Sequence, residues 1–267
     1  MMEVLLPVLG FLIGTIASMV GVGGGVFIVP LLTLVYEFSP SHAVGTSLAT
    51  IVFTSLASTA HYSRQKRIYY KTGSILAIST VPGAYLGAYL TEIVQEQMLG
   101  LIFGVFVLLV ALRMIFKVDF SGNKHSNTDK SDPVDSESSL FARKDKVLLG
   151  VVLGFFGGLS SGLLGIGGGS LMVPIMVLAM GIPMHITVAT SMFTMIFTST
   201  SGVIEHFRLD NIHFDYAFLL VLGTIFGAQL GAYTSKRVSG RNLRRIFGSV
   251  LIIVSARMIL KYGLNSF

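Results

Sequence analysis

Two stretches carry the residue types and spacing that could do chemistry: Gly21-Val22-Gly23-Gly24-Gly25 and Gly165-Ile166-Gly167-Gly168-Gly169, which run on to Val29-Pro30 and Val173-Pro174. Four glycines in five positions oppose a helix by roughly 1 kcal/mol each, so each run predicts a break inside apolar sequence. A helix restarting after the break points its free N–H groups and positive dipole end at the break, and glycine lets a ligand approach that backbone. The chemistry this suggests is oxyanion binding by backbone donors at Gly23, Gly24, Gly25, Gly167, Gly168 and Gly169. Thr46-Ser47 and Thr190-Ser191 follow each run at matched distance. Thr46, Thr50 and Thr54 lie four apart, as do Thr190, Thr194 and Thr198, which places a hydroxyl stripe on one helix face. Such a stripe can donate to an anion or bond back to its own helix; both readings stay open, with Thr46, Ser47, Thr190 and Ser191 the better placed for the anion.

Charged candidates are few. Arg64 with Arg208, and Arg113 with Arg257, match near the ends of apolar segments, where arginine usually reaches for headgroups. His61, Glu205 and His206 also sit near segment ends and are candidates for a proton relay. The chain contains no cysteine, which removes disulfides and thiolate metal sites. Neither a His-Glu-x-x-His pattern nor a Gly-x-x-x-x-Gly-Lys-Ser/Thr phosphate loop occurs. No metal, cofactor or catalytic residue is expected, and the chain reads as a non-enzyme.

The elements that must position these residues follow from composition and repetition. Of 267 residues 52% are hydrophobic and 12% charged, with mean hydropathy +0.77; soluble domains carry about 25% charged residues. An integral membrane protein is expected, with the lipid bilayer as partner. The net charge of +6 comes from basic residues in short connections, which fits orientation in the bilayer better than nucleic-acid binding. An offset of 144 maps Gly21 onto Gly165 and pairs more than thirty identical residues, among them Gly10 with Gly154 and 83–89 with 227–233. A duplicated unit therefore divides the chain into 1–117, a polar cytoplasmic linker 118–146, and 147–267. Gly83, Gly87, Gly227 and Gly231 have the Gly-xxx-Gly spacing of close helix packing.

Arg64, Lys66, Arg67 and Lys71 make residues 62–71 purely basic, and Lys236, Arg237, Arg241, Arg244 and Arg245 do the same for 235–245. The positive-inside rule asks for both on the cytoplasmic face. They do not correspond under the offset, and their true counterparts, 205–215 and 91–97, hold Glu205, Asp210, Asp215, Glu92 and Glu96. Each unit must then cross the membrane an odd number of times. Residues 25–35 and 170–180 are about half the length of a crossing, so each folds back on the segment before it. The expected fold is an all-α integral membrane protein with two inverted repeats, each a re-entrant helical hairpin plus three transmembrane helices.

The doubled Gly-x-Gly-Gly-Gly-x-x-x-Val-Pro stretch, the following Gly45-Thr46-Ser47 or Ala189-Thr190-Ser191, and the division into halves resemble the TauE/SafE sulfite exporter family of membrane permeases. The resemblance covers nearly the whole chain outside the linker. It implies a multi-pass protein of the cytoplasmic membrane of a bacterium or archaeon, moving a small sulfur-containing anion such as sulfite or a sulfonate like sulfoacetate. Secondary transport by alternating access is the expectation, with an anion channel and an intramembrane enzyme as rivals and a homodimer as a candidate assembly.

Overall fold

The computed structural model describes residues 5–115, 144–235 and 240–263, and every regular element among them is helical. In chain order these are α1 (Leu6–Val20), α2 (Gly25–Leu34), α3 (Pro40–Arg64), α4 (Tyr70–Ile93), α5 (Glu96–Ile115), α6 (Lys144–Leu164), α7 (Gly169–Pro174), α8 (Met184–Arg208), α9 (Phe214–Thr234) and α10 (Gly240–Gly263). A π-helical turn, Ile175–Ala179, prolongs α7. Helices replace two stretches expected to be connections. α10 takes in Arg241, Arg244 and Arg245 of the basic stretch, and α6 begins at Lys144, inside the expected linker. Lys236, Arg237, Arg113's side chain and the linker up to residue 143 lie outside the described residues.

Local sequence explains where the helices stop. α1 ends where Gly21 takes φ +81°, a left-handed conformation that suits glycine, with its N–H on the Ala17 carbonyl. Gly23 and Gly24 continue with φ +85° and +99° before α2 restarts. The second unit repeats the turn at Gly165, Gly167 and Gly168 with φ +67°, +72° and +80°. α2 has ten residues, about 15 Å of rise, so it spans about half the hydrocarbon core. Pro40 opens α3, where its fixed φ and missing N–H suit a first turn.

Among the described residues four helices, α3, α4, α8 and α9, are long and apolar enough to cross a membrane. Exposure is distributed as lipid contact requires. Ile78, Phe226 and Phe156 are 75%, 66% and 59% exposed, while Thr46, Ser47, Thr50, Thr190, Ser191 and Thr194 are fully buried. Apolar side chains face outward, and hydroxyls lie inside where helices can satisfy them.

Packing is reciprocal between the units: α1 lies on α9 and α6 on α4, while α3 and α8 face each other at the centre. The spaced glycines make these contacts. A Cβ on Gly87 would strike the Leu159 carbonyl of α6, and one on Gly227 would strike the Phe11 carbonyl of α1. Backbone rides on backbone there, as the Gly-xxx-Gly spacing predicts.

Candidate functional site

The two glycine tips touch each other. A Cβ on Gly25 would fall on the Gly165 carbonyl, and one on Gly169 would fall on the Gly21 carbonyl. Between the tips stand Ile51 of α3 and Met195 of α8, themselves paired by the offset. An ideal Cβ on Gly23 would lie 2.6 Å from Met195 Sδ and 3.3 Å from Ile51 Cγ2; on Gly167 it would lie 2.8 Å from Ile51 Cγ2 and 3.2 Å from Met195 Sδ. Sequence reasoning missed this pair, because an apolar residue on a membrane helix gives no signal of its own.

The first helical bond at each tip is Phe27 N–H to Gly24 O at 2.9 Å and Leu171 N–H to Gly168 O at 3.1 Å. Ahead of those bonds stand the N–H groups of Gly24, Gly25 and Val26, and of Gly168, Gly169 and Ser170, which a helix start leaves without intrahelical acceptors. These are the donors that the glycine runs promised.

Two of the four expected hydroxyls, Ser47 and Ser191, are brought to the tips, and all four are engaged. Ser47 Oγ donates to the Gly165 carbonyl at 2.8 Å, and Ser191 Oγ donates to the Gly21 carbonyl at 3.1 Å while also lying 2.9 Å from Val188 O. Each serine thus holds the other unit's tip. Thr46 Oγ1 accepts from the His213 N–H and Thr190 Oγ1 from the Tyr69 N–H, both at 3.1 Å. The rest of the stripe bonds back along its helix, Thr50 to Thr46 O at 3.0 Å and Thr198 to Thr194 O at 3.1 Å, and Thr198 also meets Thr80 at 2.7 Å.

Buried polar atoms without partners occur in both units, His42 Nδ1 and Thr59 Oγ1 in the first. Among the described residues, the buried hydroxyls of Ser161, Ser170 and Ser199 have no hydrogen-bond partner. Ser161 stands beside Gly168, whose ideal Cβ would lie 3.6 Å from Ser161 Oγ and from Thr198 Cγ2. The offset matches Ser161 with Ala17 and Ser170 with Val26, so the first tip lacks both hydroxyls.

Comparison with known proteins decides the family. The description "Sulfite exporter TauE/SafE" matches residues 6–258. The chain belongs to the TauE/SafE sulfite exporter family. This TauE/SafE protein is 35% identical over 264 residues to a probable membrane transporter of Bacillus subtilis, covering 96% of the chain and 97% of that relative. It is 27% identical to a probable membrane transporter of Methanocaldococcus jannaschii, covering 96% and 95%. A shorter match, 34% identical over 106 residues, is to sulfite exporter TauE/SafE family protein 3 of Arabidopsis thaliana, covering 40% of this chain and 21% of that protein. No solved structure matches it. It is a multi-pass membrane transporter, and the names of family and relatives point away from an enzyme.

Most ionisable candidates of this TauE/SafE transporter fall at the ends of α3 and α8, with Arg113 in α5 and Arg257 in α10. Arg208 pairs with Glu205 at 2.8 Å and with Tyr85 Oη at 2.7 Å; at 64% exposure the guanidinium is solvated and the pair is weak. Arg64 and Arg257 are exposed. Arg67, in the connection after α3, is half-buried: burial pulls its pKa below the ordinary arginine value, while it donates to Gln65, Ser235 and the His185 carbonyl. His206 is fully buried. His42 and His213, which sequence reasoning did not single out, stack near it with ring centroids 4.9 Å apart.

Proposed function

We propose that this TauE/SafE membrane transporter is a secondary transporter that moves a sulfur-containing anion, sulfite or a sulfonate such as sulfoacetate, across the cytoplasmic membrane by alternating access. The observation that carries the reading is the pair of touching glycine tips with backbone donors ahead of their first helical bonds, one of them beside the unpartnered Ser161 hydroxyl. An ionised group without partners at membrane depth costs several kcal/mol. Backbone N–H groups offset that cost without a fixed positive charge that would hold the anion too long.

On this proposal Gly23, Gly24, Gly25, Gly167, Gly168 and Gly169 line the substrate path. Ser47 and Ser191 complete the site by holding the tips at a spacing that fits an oxyanion, and Thr46 and Thr190 fix the helices that carry them by accepting from the His213 and Tyr69 N–H groups. The units 1–117 and 147–267 are inverted relative to each other, with the linker 118–146 and the basic connections inside. The reciprocal packing of α1 on α9 and α6 on α4 supports two like units that rock against each other about the tips.

The test is uptake of sulfite, thiosulfate, sulfoacetate and taurine into proteoliposomes, each with and without a pH gradient. Saturable uptake of at least one anion is expected. Flux that rises linearly with concentration would replace the transporter with a channel, and no flux of any of the four would overturn the substrate reading. Tags at both termini should be reached from outside intact cells and a tag in 118–146 should not; termini on opposite faces would overturn the inversion.

A further inference from the structure

The offset that pairs the two tips also pairs two braces behind them, and the braces differ in one respect. In the first unit Tyr62 of α3 donates its hydroxyl to the Ser18 carbonyl of α1 at 2.8 Å. In the second unit the matched residue, His206 of α8, places Nε2 3.3 Å from the Gly162 carbonyl of α6, the match of Ser18. Both side chains are fully buried. A donor to that carbonyl is all that a brace needs, and tyrosine supplies it. Histidine supplies the same donor and adds a second nitrogen that can accept a proton.

The surroundings of that nitrogen also differ between the units. Under the offset Arg67 corresponds to Asn211. Arg67 lies over the Tyr62 ring, 5.4 Å from its centroid, a fixed cation that would oppose a second one. Asn211 Nδ2 lies 3.4 Å from His206 Nδ1. An amide presents N–H₂ to an unprotonated ring nitrogen and, turned over, its oxygen to a protonated one, so Asn211 can serve both states.

We propose that the His206 imidazole is the proton-binding site through which a proton gradient drives anion transport. The inference rests on the transporter reading above. Gly162, which His206 holds, is one turn before Gly165 of the second tip, so the proton site and the proposed anion site share the arm of one hairpin. Burying an anion and a proton together leaves less net charge at membrane depth than burying either alone, and each favours the binding of the other.

The charged and titratable groups around His206 come from several elements. On α8 itself Glu205 is 1% exposed and paired with Arg208, which also bonds Tyr85 of α4. α3 contributes His42, whose Nδ1 is buried without a partner, one turn before Gly45, on whose face His206 Cβ packs. The connection after α8 contributes Asp210 and His213, and Glu96 at the start of α5 reaches Ser41 beside His42 at 3.4 Å. α6 presents the Gly162 carbonyl. Glu205, its neighbour on α8, can balance a protonated His206.

Two substitutions separate brace from proton site: His206→Gln and His206→Tyr each keep a donor for the Gly162 carbonyl and remove the titration. Each anion that the wild type carries is assayed in proteoliposomes in two modes, pH-gradient-driven accumulation with proton movement recorded, and counterflow from preloaded vesicles. Sulfoacetate is the most useful probe, since sulfite itself titrates near neutrality. In both variants driven accumulation and proton movement should fall about tenfold or more, while counterflow continues. Driven accumulation that survives in either variant overturns the proposal, as does wild-type transport indifferent to the gradient. Loss of counterflow in both variants, with monodisperse protein, leaves His206 as a brace and overturns it too. A wild type that carries none of the anions removes the transporter reading first, a result that the wild-type lane alone identifies.

Discussion

Gly24 and Gly168 occupy matched places in the two glycine tips and hold similar backbone, φ +99° and +80°, yet they look out on different surroundings. An ideal Cβ on Gly24 would meet Ile13 Cγ2 at 3.1 Å, Ala17 Cβ at 3.4 Å and Ile28 Cδ1 at 3.6 Å. One on Gly168 would meet Ser161 and Thr198 at 3.6 Å, ordinary contact. Duplication has kept the turn twice and its lining once. Backbone geometry is the shared device, and the unpartnered Ser161 hydroxyl makes the second tip the better place to look for substrate. The first tip, closed by apolar side chains, is suited to packing against it.

The largest effect should come where the two tips cannot differ. Gly25→Ala drives a methyl into the Gly165 carbonyl and the Ile166 backbone, and Gly169→Ala drives one into the Gly21 carbonyl and Met195. Overpacking of this kind costs about 1–3 kcal/mol or more, and here the obstacle is backbone with no rotamer to yield. Both variants should abolish transport of every anion in the proteoliposome assay. Full activity in either would mean that the tips separate freely, which would break the comparison at its root.

Next come the positions where the tips should part company. Alanine in a left-handed conformation costs about 1–2 kcal/mol at either site. Gly24→Ala adds crowding against Ile13 and should be recovered in lower folded yield with a lower melting temperature. Gly168→Ala has room and should fold, but its methyl points at Ser161 in the proposed anion pocket. Calorimetry on the purified variants should show substrate affinity falling further for Gly168→Ala than for Gly24→Ala per folded molecule. Equal losses would make the two tips equivalent despite their linings.

A smaller and more specific test exchanges the lining itself. Ser161→Ala removes a hydroxyl that has no partner within the described structure, so folding should be unaffected. A hydrogen bond to a charged group contributes about 1.5–3 kcal/mol, which predicts at least about a tenfold rise in the dissociation constant for the transported anion. Ala17→Ser, the reverse exchange at the first tip, should leave that constant alone.

Much of this was legible because the sequence states it twice. The offset located both tips, and the serine of each matched Thr-Ser pair bonds to the opposite one. The Gly-xxx-Gly faces pack α4 on α6 and α9 on α1 as their spacing predicts. What the sequence could not disclose was which of a hydroxyl's two uses prevails. Thr46 accepts a backbone N–H and Ser47 donates to a carbonyl, and both partners lie far along the chain, where no local pattern points. The lining of the second tip was hidden for a related reason. Ser161 differs from Ala17 by one oxygen, and its significance appears only when its hydroxyl is seen to stand unpartnered beside Gly168. His206 was visible as a histidine near a segment end, but its value lies in the comparison with Tyr62, which needs the shared carbonyl bond to be seen.

The smallest effect should separate the two serines that tie the tips together. Ser47 gives its single proton to Gly165 O at 2.8 Å, whereas Ser191 shares its proton between Gly21 O at 3.1 Å and Val188 O at 2.9 Å. A shared proton holds each acceptor less tightly, so the Gly21 carbonyl depends on Ser191 less than the Gly165 carbonyl depends on Ser47. Leaving a buried acceptor unsatisfied costs about 1–3 kcal/mol. Ser47→Ala should therefore raise the apparent substrate constant several-fold, at the lower end of what that cost allows because the tip can relax. Ser191→Ala should raise it less, since Val188 O remains within its own helix. The double variant should exceed either alone, because each serine holds a different tip to the opposite unit. Saturation curves for the three variants in proteoliposomes decide it: a larger effect from Ser191→Ala would mean that the Gly21 tip is the one under tension, and that the second tip's openness to substrate has some other cause than a firmer tie.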